Sequence, residues 1–78
     1  MTQVPPKSDL RWQNFIKNGD NCQFKSLATR MMYKRCQMLL KLNPDDPEGI
    51  SKAVDIAVGY FSDNIAIAEN DLKIALSA

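Results

Sequence analysis

Apolar positions recur along this chain at helical spacing, in three stretches. The first carries Leu10, Trp12, Phe15 and Ile16. Ser8 suits an N-cap with Asp9 in the first turn, and Asn18-Gly19 tolerates the left-handed geometry that stops a helix. A short helix is therefore predicted over about 9–18. Asp20-x-x-Gln23 has the spacing of a capping box, which places the start of a second helix near Asn21. Asn43-Pro44 ends that helix at Leu42, because a residue before proline avoids helical geometry. Asp46-Pro47-Glu48 restarts the pattern with an N-cap, a first-position proline and an acid in the first turn. The third helix is predicted over about 47–76. Gly59 and the Ser62-Asp63-Asn64 cluster are its weak points, where a kink or break is expected. Residues 1–7, with Pro5 and Pro6, read as a flexible arm, and residues 8–78 as a single helical domain.

Projection at 100° per residue shows how much of each long helix avoids water. On the second helix, Phe24, Leu27, Ala28, Met31, Met32, Met38, Leu39 and Leu42 share one broad face. Cys22, Tyr33, Cys36 and Leu40 extend it, and only a strip with Gln23, Arg30, Lys34, Gln37 and Lys41 is clearly polar. The third helix centres on Ile50, Val54, Ala57, Phe61, Ile65, Ala68, Leu72 and Ala75, with apolar residues on both flanks. Each arc spans about 200°, whereas a one-sided surface helix needs about 100° or slightly more. The predicted fold is all-α: a short N-terminal helix, then a long antiparallel two-helix hairpin, completed as a helical bundle by dimerisation. The short helix covers part of the excess, mainly over the distal end of the third helix.

The length of 78 residues reinforces that expectation. A domain of this size has a marginal core and usually gains support from disulfides, a metal or another chain. With no histidine, no Cys/His zinc pattern exists, and no metal or cofactor is expected. Cys22 and Cys36 on one helix would stand about 21 Å apart, beyond disulfide reach. Association remains. Net charge is +1, but residues 1–42 hold eight basic and two acidic side chains against two and seven in residues 43–78. No signal-peptide pattern and no run near the ~20 apolar residues of a membrane span occur, so a reducing, cytoplasmic setting is expected.

Catalytic patterns are missing. Without histidine the commonest general base is gone, and Gly19, Gly49 and Gly59 stand apart rather than in a phosphate-binding loop. Asp45-Asp46 sits in a turn, where capping accounts for it. The chain is read as a non-enzyme. Lys25, Arg30, Lys34 and Lys41, with no acid between Asn21 and Pro44, make a basic strip that either follows a phosphate backbone or forms a solvated helix edge. Arg35 interrupts the apolar face between Met31 and Met38. A cation there needs a partner or a path to solvent, and Asn64 and Asp71 break the third helix in a matching way. Met31, Met32 and Met38 suit either ordinary core packing or adaptable docking, for which Met31 and Met38 are the candidates, and Trp12 suits either a cap over the hairpin or an anchor on a partner. Arg35, Met31, Met38, Trp12, Asn64 and Asp71 are thus the candidate partner-binding residues. Cys22, near a predicted helix N-terminus, is the more reactive candidate thiol.

The bend Asn43-Pro44-Asp45-Asp46-Pro47, followed by Lys52-Ala53 and Tyr60, resembles type III secretion needle subunits over about the last 35 residues. That resemblance implies a helical hairpin and a self-assembling structural subunit. The cysteines, the basic second helix and the N-terminal segment depart from the needle pattern, so polymerisation and secretion are not carried over. The same junction resembles the boundary between tetratricopeptide repeats, but one hairpin lacks the repetition that fold requires. The leading expectation is a small regulatory or adaptor protein that binds and modulates a protein partner through its bundle surface, as a homodimer. A nucleic-acid-associated regulator using the basic strip is the alternative.

Overall fold

A computed structural model describes residues 3–42 and 46–78, and their secondary structure is entirely helical. In chain order the α-helices are α1 (Leu10–Asn18), α2 (Leu27–Leu42), α3 (Pro47–Asp63) and α4 (Ile65–Leu76). A 3-10 turn, Gly19–Asn21, follows α1. The predicted bend at Asn43-Pro44-Asp45 lies outside the described residues.

Helix starts divide into local and distant causes. Asp46 caps α3 as the sequence indicates: its carboxylate accepts the Glu48 N–H at 2.9 Å, with Pro47 in the first turn. Asp9, rather than Ser8, caps α1, accepting the Arg11 N–H at 2.9 Å. The expected start of the second helix near Asn21 is incorrect. The Asp20-Gln23 pair does not nucleate a helix, and Cys22 is extended instead, at φ −80° and ψ 136°. This lets Phe24 lie against Phe15 and Tyr33, with ring centroids 5.9 and 6.5 Å away. The cap of α2 comes from Asp71, in the middle of α4. Asp71 Oδ1 accepts the Lys25 N–H at 2.8 Å, and Oδ2 accepts the Ser26 N–H at 3.0 Å and the Thr29 hydroxyl at 2.9 Å. A carboxylate there satisfies amides that have no helical partner and complements the positive end of the helix.

The predicted third helix is two helices. Asn64, at φ −123° and ψ 20°, ends α3, and its side-chain amide donates to the Tyr60 carbonyl at 2.8 Å. The break falls in the weak cluster 62–64, while Gly59 stays helical. A second irregularity, at Ala68 (φ −115°, ψ 16°), bends α4. Freed from the axis of α3, α4 places Asp71 beside the start of α2.

Trp12, Phe15, Ile16, Met32, Tyr33, Cys36, Phe61 and Leu72 form the centre of the core, with the small residues Ala53, Ala57, Ala68 and Ala75. α1 packs on both α3 and α4, and α2 packs chiefly on α3. Trp12 is fully buried between Phe15 and Phe61, and its indole N–H donates to the Pro5 carbonyl at 3.2 Å. The arm preceding α1 is thereby fastened to the core.

Gly19 does not stop α1 by adopting left-handed geometry; its φ is −63°. It is needed for space, because a Cβ there would run into the Tyr33 ring. Tyr33 in turn donates its hydroxyl to the Ile16 carbonyl at 3.2 Å, and Gln37 donates to the same oxygen at 3.1 Å. At Gly59 a Cβ would meet nothing. Alanine should therefore act with opposite sign at the two sites. Gly59→Ala is expected to stabilise by about 0.5–1 kcal/mol through helix propensity, and Gly19→Ala to destabilise by about 1–3 kcal/mol through overpacking. Urea midpoints moving in the same direction would contradict the packing described. Asp71→Ala leaves two amides and a hydroxyl without an acceptor and should cost about 3 kcal/mol; an unshifted urea midpoint would refute its anchoring role.

Candidate protein-docking face

The roll of α2 about its axis decides what it shows to solvent. Its buried residues are Thr29, Met32, Tyr33 and Cys36. Tyr33 and Cys36 belong to the narrower stripe of the sequence, Met32 to the broad face expected to lead into the core, and Thr29 to neither. Polar bonds select this roll. Thr29 reaches Asp71, Tyr33 reaches the C-terminal turn of α1, and the Cys36 thiol donates to the Ala53 carbonyl at 3.4 Å.

Most of the broad stripe consequently points outward. Leu27, Met31, Met38 and Leu42 are 74%, 56%, 62% and 73% exposed. They fall within about 60° of each other round the helix, with Arg35 at the edge of the group. Beside them runs a groove of about 610 Å³, lined on one side by Ala28, Met31, Met32 and Arg35 and on the other by residues of α3 that include Asp55, Ile56, Gly59 and Asp63. It continues past Arg35 and Ile56 into a hollow of about 230 Å³ formed with Met38, Leu39 and Leu42.

The six candidate partner-binding residues thus separate. Met31 and Arg35 stand exposed on the rim of the groove, Met38 stands exposed on the adjoining hollow that shares Arg35, and the half-buried Asn64 also lines the groove. Trp12 and Asp71 do not join them, since both are inside the fold. Asp71 breaks the apolar pattern because it caps α2 from within; its carboxylate already has three donors. Thr29, whose hydroxyl proton goes to Asp71, accepts from the Tyr60 hydroxyl at 2.7 Å. Sequence reasoning missed Asp55, Gly59 and Asp63 as groove residues. Their spacing of four, on successive turns of α3, was the available signal.

Lys25, Arg30, Lys34 and Lys41 are all exposed. Arg30, Lys34 and Lys41 form a rail beside the apolar stripe, but Asp20 shares a hollow with Lys34 and Lys41 and adds an acid to that edge. Among the described residues no three Cys, Asp or Glu side chains converge as a metal-ligating group, and no helix is long and apolar enough to cross a membrane. No protein family model, curated protein or solved structure matches the chain.

Both thiols are free and buried. Cys22 precedes α2 by five residues rather than standing at its N-terminus, so the expected activation is incorrect, and burial pushes its thiol up. Burial also raises Cys36 from 9.0 to about 11. Because the folded value is the higher one, the contribution of Cys36 to stability is complete below pH 9.0 and is lost as pH rises towards about 11. Burial raises Tyr33 as well, with the same sign. Unfolding free energy should therefore fall between those pH values, and Cys36→Ala should flatten the fall. An identical slope in the variant would refute the assignment.

Proposed function

We propose that this chain is a non-enzymatic adaptor or regulatory protein that acts by docking another protein chain on the outward face of α2 and the groove beside it. The observation that carries the reading is the line of Leu27, Met31, Met38 and Leu42, four large apolar side chains each more than half exposed on one side of one helix. Single exposed apolar residues are ordinary, but a contiguous line beside a groove marks an interaction surface. Association there would complete the predicted bundle of α2 and α3. Methionines supply adaptable contacts, and a charged rim sets orientation. The chemistry available elsewhere supports the same reading. The chain has no histidine, its thiols are buried and protonated at neutral pH, and Asp71 is occupied in holding the fold.

The exposed rail of Arg30, Lys34 and Lys41 supports a second reading, attachment to a nucleic-acid backbone. The two readings respond differently to substitution and salt. Met31→Asp with Met38→Asp should leave helicity unchanged, because both side chains face solvent, and should abolish capture of a protein from the native host. Replacing the three rail cations with glutamine should leave that capture in place. Capture indifferent to the methionine pair would refute docking on α2. Binding to random DNA or RNA that weakens steeply with salt and is lost in the rail variant would favour the second reading.

A further inference from the structure

Gly59 combines a cost with an unexplained vacancy. Glycine inside a helix is destabilising by roughly 0.5–1 kcal/mol relative to alanine. Its φ is not positive, and beyond its chain neighbours and the adjacent backbone of α3 a Cβ there would meet no described atom within 4 Å. Nothing in the protomer requires glycine at this position. The residue lines the groove, so the notch left by its missing side chain opens onto the docking face. A bare backbone in such a place admits a close approach by another chain.

The charges round the notch indicate what enters it. Asp55, Gly59 and Asp63 follow each other at intervals of four, about 6 Å apart along the axis of α3, so a carboxylate stands one turn before and one turn after the notch. Across the groove stands Arg35, flanked by the apolar Met31 and Met38. Among the described residues, neither Arg35 nor Asp63 forms an ion pair, although both line the same groove. Asp55 pairs with Lys7, and both side chains are about half exposed; such surface pairs are weak and easily exchanged. Among the described residues, one face therefore carries a long planar cation without an ion pair and, beside it, a notch flanked by one unpaired carboxylate, Asp63, and one held only by the surface cation Lys7.

We propose that the occupant of the groove is a second copy of this chain, docked about a two-fold axis so that Arg35 of each protomer enters the Gly59 notch of its partner between Asp55 and Asp63. A two-fold interface requires donor and acceptor on the same patch, and the groove holds both. The register follows from charge. Helix α2 has no acid between Asn21 and Pro44, so α2 against α2 would bring basic rails together. Laying α2 over the partner's α3 instead sets Arg35 against carboxylates and covers Met31 and Met38. A guanidinium held by carboxylates in a covered groove forms charge-assisted hydrogen bonds that lysine cannot match in geometry.

This inference rests on the docking face assigned above and names its occupant, so its test uses the full chain alone. In sedimentation from about 1 to about 300 µM, the wild type should pass from the 8.8 kDa protomer to twice that mass and no further. Gly59→Leu fills the notch from a Cβ position that meets no neighbouring side chain and should weaken the dimer at least about tenfold, while its thermal midpoint at dilute concentration holds or rises. Arg35→Glu should weaken the dimer similarly, and adding Asp63→Arg to Arg35→Glu should recover most of the loss. A wild type that stays monomeric throughout, or a dimer indifferent to Gly59→Leu and Arg35→Glu, would overturn the proposal. Growth beyond a dimer would overturn it too, since a two-fold contact closes on itself. A monomeric chain that still captures a host protein through Met31 and Met38 would leave the docking face standing with a different occupant.

Discussion

The structure depends on one carboxylate. Asp71 sits in the middle of α4 and is 2% exposed, yet it holds the chain just before α2 through two backbone amides and a hydroxyl. A buried acid is tolerated only with donors supplied, and the start of a helix supplies amides together with a favourable dipole. The arrangement works in both directions. Asp71 gives α2 the cap that its own sequence lacks, and α2 gives Asp71 the partners that make burial affordable. Tyr60 completes the set by donating to Thr29, so α2, α3 and α4 meet at one point.

From that point the rest of the geometry follows. Thr29 must face α4, which fixes the roll of α2. Seven residues separate Thr29 from Cys36 and four separate it from Tyr33, so all three share a face. The core then closes with polar and small groups where Cys36 meets Ala53 and Tyr33 meets Gly19. The larger apolar side chains of α2 are left outside. Their exposure is the cost of the roll, and it supports the reading of this face as a place for another chain.

What was legible in the sequence is what local chemistry decides. Asp46 and Pro47 announce the start of α3, and the cluster 62–64 announces its end. The helical class followed from periodicity, as did the candidacy of Met31, Arg35 and Met38. Three features were not legible, for one shared reason. The start of α2, the role of Asp71 and the roll of α2 all depend on bonds between residues 42 to 46 positions apart in the chain. Periodicity ranked the two stripes of α2 by apolar content alone. It therefore favours the broader one, whereas hydrogen bonds turn Thr29, Tyr33 and Cys36 inward. Gly19 illustrates the same point at a single residue: glycine there looked like a conformational need but serves a ring that arrives from α2.

Amide hydrogen exchange at Lys25 and Ser26 tests the anchoring claim directly. Both precede the first residue of α2, in a stretch that is not helical. If Asp71 holds them, their exchange should be slowed to the level of core amides such as that of Cys36, because they open only when α4 leaves α2. Exchange at the rate of an open loop, while α2 and α4 remain protected, would contradict the account.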